Sequence, residues 1–485
     1  MFSLIKRISR NKIFLYMGSR YITYALQFVT SMIIAFKLGP EAFGTWSFIL
    51  LIINIFNVID FGISNSVNVL LVQDKDDSEK VGSHIMSSVF ITSCISLIVF
   101  LIYKFAASGS CLSLINKYQI TDYLPFILFV IITAYFNKLF AAIYRVKNRL
   151  FEIALYQSIV PVLLFVAILS FSNNTVWYLL LSYLVGYTIS ILVFLFRKQI
   201  SFRSKTSFQD ICLVSSKGFW LFLYNGCFYL IMYTTSLFVS CNYEVEEYGK
   251  YNFAYTLAHA IVLLIDAFGF VVFPKMIDRL KAVDSQTSDF ITYVRTNYMS
   301  FIYVLVFAAM PCFYILCKFV PQYSDTSRAL CISGLTLLPY ANAFGLNTFL
   351  IAQNKEKNLS VISILCLAVN VLLSFLLTLC VHVAFDLVLL ATLITYIVYT
   401  YLCAWLTTKY LGKRLTFLTV WEMEFPVRYF IPFIMGIIII LFGSEKLYLL
   451  FLPFIMFCIL NYKDLFTVGK TLIKITNNPT VVDLK

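Results

Sequence analysis

Charge is scarce in this chain. Only 13% of its 485 residues are Asp, Glu, Lys or Arg, where a soluble globular protein carries roughly 25%. The deficit excludes a water-facing surface over most of the molecule. Histidine is scarcer still: His84, His259 and His382 are the only three, and their scatter gives no reason to expect a zinc site. The sequence has no phosphate-binding glycine loop closed by Lys and Ser or Thr, no GxSxG, no HExxH and no DxD-type carboxylate pair on a loop. Their absence argues against an ATP-driven pump and an ordinary glycosyltransferase. No enzyme activity, no catalytic residue and no cofactor are expected, and any work must draw on an ion gradient or on the substrate itself. The longest connecting segments, Lys275 to Asn297 and Tyr410 to Pro426, are too short to fold as domains.

What remains is hydrophobic: 61% of the residues are apolar and 18% aromatic. Crossing a hydrocarbon core takes roughly 20 apolar residues as helix. Fourteen stretches qualify, at 13–36, 44–72, 83–103, 122–144, 152–172, 175–196, 212–240, 250–274, 297–318, 328–352, 359–381, 384–407, 427–442 and 446–462. The chain is read as an all-α polytopic membrane protein of about 14 transmembrane helices. The basic leader MFSLIKRISRNK runs into a span longer than a signal sequence and without a small-residue cleavage site, so it reads as a retained first span. The twelve cysteines show no CxxC spacing and lie mostly inside apolar runs, where they behave as small hydrophobes.

Basic residues orient the spans. Threaded with the N-terminus inside, the chain places 27 of its 37 Lys and Arg in cytoplasmic segments, among them Arg145, Lys147 and Arg149, against seven outside and three within spans. Retention of positive charge on the cytoplasmic side therefore predicts a multi-pass protein with both termini in the cytoplasm. No nucleic-acid partner is expected.

The sequence repeats itself. Glu41-Ala42-Phe43-Gly44, followed by Trp46 and Phe48, matches Glu246-Glu247-Tyr248-Gly249, followed by Tyr251 and Phe253, at an offset of 205. Each copy opens a span that carries an acid in its middle, Asp60 or Asp266. Two six-helix lobes related by a parallel repeat are predicted, at 1–200 and 201–410, with 411–485 holding two additional spans and a tail.

Intramembrane charges are costly and usually face a cavity. Arg20, Lys138 and Lys217, with Arg145 at the mouth, all fall in the cytoplasmic half and would form a positive vestibule suited to phosphate or pyrophosphate. Snorkelling of long side chains to the headgroups is the alternative. Asp60 and Asp266 suit ion coupling, since an acid in a low-dielectric cavity can exchange H⁺ or ligate Na⁺; equally, Asp60 could pair with Arg20 or Lys138, or cap a break near Gly62. His259 reads as an interior hydrogen-bonded residue. Asn54, Asn57, Asn65, Asn68, Asn225, Asn342, Asn347 and Asn370 could line a glycan path or glue helices together. The aromatics read mainly as lipid-facing and interfacial filler.

Four features together resemble the polysaccharide exporters of the multidrug/oligosaccharidyl-lipid/polysaccharide superfamily. They are the basic leader, the LGPEAFGTWSF turn, the mid-span Asp60-Phe61-Gly62, and the VPQYSD turn from Val320 to Asp325. The resemblance implies two lobes around a central cavity and a flippase of the bacterial inner membrane. Its cargo would be an undecaprenyl-pyrophosphate-linked oligosaccharide of O-antigen or capsule type, moved to the periplasmic leaflet, with H⁺ or Na⁺ as coupling ion and polymer-assembly machinery as a partner. Two alternatives stay open. One is a multidrug or peptidoglycan-precursor exporter of the same superfamily. The other is an O-antigen polymerase or ligase, which the short outer loops disfavour.

Overall fold

The structure, a computed structural model, describes residues 12–74, 77–106, 112–197, 204, 206–280, 287–443 and 448–477; within these, the side chains of 12–17, 105–106, 112, 221, 262–275, 277–278 and 471–477 are not described. The basic leader at 1–11 and the side chain of Asp266 thus lie outside the described residues.

The described residues are mostly helical and include no strand, as expected. Among them ten helices are long and apolar enough to cross a membrane, or twelve if each of two sharply bent pairs is one span. Gly18–Gln73 counts once, although helix α1 (Lys12–Val58) is broken at Gly39, where φ is 71°. Each of the fourteen expected stretches falls on a helix or a broken helix pair.

Two compact units divide the chain, one of Met1–Tyr233 with Glu244–Gly249, the other of Thr234–Tyr243 with Lys250–Lys485. The first holds α1, α2 (Ile63–Gln73), α3 (Ser78–Ala106), α4 (Leu112–Lys117), α5 (Leu124–Val146), α6 (Leu150–Ser170), α7 (Thr175–Phe196), α8 (Phe208–Lys217) and most of α9 (Phe219–Asn242). With no water in a bilayer core, polar groups look for partners within the protein, and several helix contacts are made this way. Thr23 bonds Ser158 at 2.7 Å, and Lys37 donates to the carbonyls of Ile168 and Phe171 at 2.6 and 2.7 Å, closing the end of α6. Asn137, fully buried, donates to the carbonyls of Thr133 and Tyr187.

The two sequence repeats meet inside this unit. A Cβ on Gly44 would overlap the carbonyl oxygen of Val245, and one on Gly249 would overlap that of Pro40. Neither position has room for a side chain, which explains why the same glycine recurs. Around the contact Phe48 stacks on Tyr118 at 4.0 Å, and Tyr248 meets both edge-on.

The second unit holds the rest of α9, most of α10 (Val245–Leu280), α11 (Thr287–Phe319), α12 (Ser327–Asn342), α13 (Phe344–Ala352), α14 (Glu356–Phe375), α15 (Leu389–Tyr410), α16 (Phe417–Glu424), α17 (Val427–Phe442), α18 (Phe451–Leu460) and α19 (Tyr462–Asn477). Its interior is threaded by amide and hydroxyl contacts: Thr235 to Asn370 at 3.1 Å, Thr392 to Thr235 at 2.8 Å, and Tyr399 to Asn347 at 3.1 Å. Tyr303 likewise donates to the Asn342 side chain at 3.1 Å, so Asn342, Asn347 and Asn370 act here as glue between helices. Arg328 pairs with buried Asp386.

Three expected spans are broken helices. The second ends at Val58 and resumes at Ile63, the seventh divides at Gly218, and the tenth divides at Ala343. The first two breaks touch. A Cβ on Gly62, which has φ of 75°, would lie 2.6 Å from Phe222 Cβ and 2.8 Å from the Gly218 oxygen; one on Gly218 would lie 2.6 Å from the Gly62 oxygen. Only paired glycines let two backbones approach this closely.

Candidate functional site

Breaking a helix inside a membrane exposes carbonyls that must find donors. At the end of α1 those donors come from α5. Tyr135 donates its hydroxyl to the Phe56 carbonyl at 2.8 Å, and the Lys138 ammonium donates to the Asn57 carbonyl at 3.2 Å. Asp60 sits in the break itself, accepts from the Gly62 amide at 3.1 Å, and faces Lys138 at 2.8 Å. The carboxylate side chain is 10% exposed and the ammonium 42%. Asp60 thus both caps the break and pairs with Lys138.

The pair opens on a cavity of about 510 Å³. Four amides line it: Asn54, Asn57, Asn65 and Asn225. So do four tyrosines, Tyr156, Tyr187, Tyr229 and Tyr233. A wall of amides, phenols and one ion pair can hydrogen-bond a polyhydroxyl guest and stack against sugar faces, and the cation can meet an anion.

Of the other expected cations, Arg20 is half-buried, with its guanidinium on Tyr24, bonding the hydroxyl and lying 4.8 Å from the ring centre. Arg145 is exposed at the end of α5. Lys217 is placed differently from expectation. It is exposed in the last turn of α8, ahead of the membrane-crossing part of α9, because Gly218 divides the apolar run. The Gly62–Gly218 contact sets its backbone beside the Asp60 break. Asp266 belongs to α10, and its side chain lies outside the described residues. His259 stacks on Tyr255 at 4.1 Å, and neither ring nitrogen has a partner among the described residues.

Sequence reasoning missed the tyrosines, which have no contrast in a chain so rich in aromatics. It also missed Arg295, counted there with the loop cations. Arg295 is 5% exposed and its guanidinium bonds the carbonyls of Met423, Asn342 and Glu424, while the Glu424 carboxylate, fully buried, accepts from Thr400 at 2.8 Å. No group of His, Cys, Asp and Glu among the described residues could hold a metal ion.

In the first unit, Asp210 caps α8 in a capping box with Ser207 and accepts from Ser83 at 2.6 Å. The Ser83 hydroxyl, followed by that of Ser207, holds its carboxyl below the usual carboxylate range.

No curated protein sequence matches this chain. The fold is similar to that of the lipid II flippase MurJ in an inward closed conformation, with a TM-score of 0.68 at 14% identity over 95% of this chain and 99% of that one. It is also similar to an inward-facing multidrug resistance MATE family transporter of the MOP superfamily, with a TM-score of 0.63 at 14% identity over 80% of this chain and 94% of that one. The same comparison with an outward-facing MATE transporter gives 0.53 at 15% identity, over 84% and 95%. At such identities the likeness is one of fold. These neighbours are transporters and flippases, not enzymes, which agrees with the lack of catalytic motifs. The profile of the polysaccharide biosynthesis protein family matches residues 9–279, more than half of the sequence. The resemblance carried by the basic leader, the Gly39–Gly44 turn and Asp60–Gly62 is thereby borne out, and the chain is a multi-pass membrane protein that belongs to the polysaccharide biosynthesis protein family.

Proposed function

We propose that this protein is a flippase for a lipid-linked oligosaccharide, an undecaprenyl-pyrophosphate-linked repeat unit of O-antigen or capsule type. It moves its cargo from the cytoplasmic to the periplasmic leaflet of a bacterial inner membrane by alternating access. The observation that carries the proposal is the cavity in which Lys138 meets Asp60 at 2.8 Å among amides and tyrosines. The pyrophosphate docks on Lys138, Arg20 and Arg145, with Lys217 at the Gly62–Gly218 contact. The glycan takes the amide and tyrosine wall, and the prenyl tail stays in lipid.

An anion that engages Lys138 competes with Asp60, so the freed carboxylate takes up H⁺ or Na⁺ in exchange. A ligand shifts a conformational equilibrium only through differential affinity, and this exchange supplies it. Asp266 is the proposed counterpart in the second half. The working parts are lobes 1–200 and 201–410, with 411–485 as an appendage and both termini in the cytoplasm. Movement of a pyrophosphate toward a positive exterior is favoured by about 2.3 kcal/mol per charge per 100 mV. Delivery to polymer-assembly machinery follows on the far side. The likeness to a lipid II flippase over 95% of the chain favours a peptidoglycan-precursor exporter as the second reading.

In a strain lacking this protein, lipid-linked sugar intermediates should collect in the inner leaflet, and complementation should clear them. Intermediates exported normally, with only the polymer shortened, would sink the proposal. A reporter fused after Phe385 should report periplasm.

A further inference from the structure

The last helix among the described residues of the second unit is α19. At Asn461 the chain bends by 75° between the helix Tyr448–Leu460 and Tyr462–Lys470. Asn461 is 1% exposed, and its amide donates to the carbonyls of Arg428 and Phe457, both at 3.1 Å, so the bend is locked rather than loose. The apolar run Phe451–Leu460 gives way at this bend to a segment carrying Lys463, Asp464 and Lys470, too polar for hydrocarbon, so the boundary between hydrocarbon and headgroups falls at the bend and α19 lies at headgroup depth.

One face of α19 is taken. Val468 is buried, and Asp464 pairs with Arg428 at 2.7 Å and accepts from Tyr429 at 3.3 Å. The opposite face carries Tyr462 at 63% exposure and Phe466 at 66%, one turn apart, with Lys470 a turn further and Lys463 alongside. Each ring is paired with a cation, Lys463 at 5.8 Å from the Tyr462 centre and Lys470 at 4.4 Å from that of Phe466. The only acid between 462 and 470, Asp464, is engaged on the other face. Rings that sit at headgroup depth beside unopposed cations suit an anionic lipid surface better than water or an acidic protein groove.

We infer that the Tyr462–Phe466–Lys470 face of α19 is a docking surface for anionic phospholipid headgroups, and that the two additional C-terminal spans serve to place it there. The leaflet is the cytoplasmic one if the orientation proposed above holds. The docking itself rests only on the change from apolar to charged residues at that bend.

The test uses the full-length protein with Phe466→Trp in nanodiscs of phosphatidylcholine with 20% phosphatidylglycerol, and either lipid brominated in turn; the signal of the unsubstituted protein is subtracted. A lysine near an anionic surface favours it about fivefold, so brominated phosphatidylglycerol should quench the introduced tryptophan at least fivefold more per mole fraction. Adding Lys463→Gln and Lys470→Gln should bring that ratio near one while quenching by phosphatidylcholine persists. Equal quenching by both lipids in the protein that keeps its lysines overturns the inference. Quenching by neither also overturns it, since the face then meets water or a protein. That comparison stands even if the double lysine variant fails to fold. Both leaflets of a nanodisc are alike, so a reversed orientation would show in the reporter fusion and leave this result unchanged.

Discussion

Lys138 has two acceptors, the Asp60 carboxylate and the Asn57 carbonyl, and its replacement strands both. A buried carboxylate left without its cation costs about 3–5 kcal/mol. Lys138→Met should therefore lower thermal stability in detergent by that order, and Asp60→Asn added to it should recover much of the loss. Neither variant should transport, which a leaflet-resolved assay of lipid-linked sugar would read. An additive double variant would show that the two residues do not act as a pair. Asp210 gives the molecule a pH dependence. Because the folded carboxyl of Asp210 sits below its ordinary range through Ser83 and Ser207, its contribution is present above the unfolded value and is lost as pH falls through the folded one. Melting curves should show the parent losing this contribution on acidification below the ordinary carboxylate range, and Asp210→Asn should be less stable at neutral pH with a flatter acid limb. At this scale the sequence was readable where chemistry contrasts with its surroundings. Asp60 and Lys138 stand out against apolar neighbours; Tyr156, Tyr187, Tyr229 and Tyr233 do not, among 32 tyrosines.

Elements were legible in kind and position and illegible in their breaks. Apolar length marks a span, but a hydropathy window runs across Gly62 and Gly218 without registering that the two glycines touch. Lys217 was set inside a span for this reason, and Arg295 outside one, since its burial depends on α16 folding back over α11. Gly62→Ala should cost about 1–3 kcal/mol, from a positive φ together with overlap on Phe222 and the Gly218 carbonyl, and should abolish transport because the break positions Asp60. Gly218→Ala should do the same from the other side. Normal export by both, with normal membrane levels, would separate the break from the site. In the second unit, Glu424→Gln keeps the Thr400 contact and should be tolerated far better than Arg295→Met, which strands three carbonyls; expression and melting in detergent would rank them.

For the whole molecule, the positive-charge count and the repeat at an offset of 205 were the strongest signals, because each averages over many residues. Neither could say where the repeats meet. The structure brings the copies together within one unit, Gly44 against Val245 and Gly249 against Pro40. Gly44→Ala or Gly249→Ala should each destabilise by about 1–3 kcal/mol through overpacking, as read from melting temperature. Since one widening of this crossing relieves both clashes, the double variant should cost less than the sum, with an interaction of about 0.5–3 kcal/mol. A segment that touches its own duplicate is subject to epistasis: a change in one copy is judged by the other. The two turns cannot change independently of each other, and the recurring glycine is the mark of that constraint in the sequence.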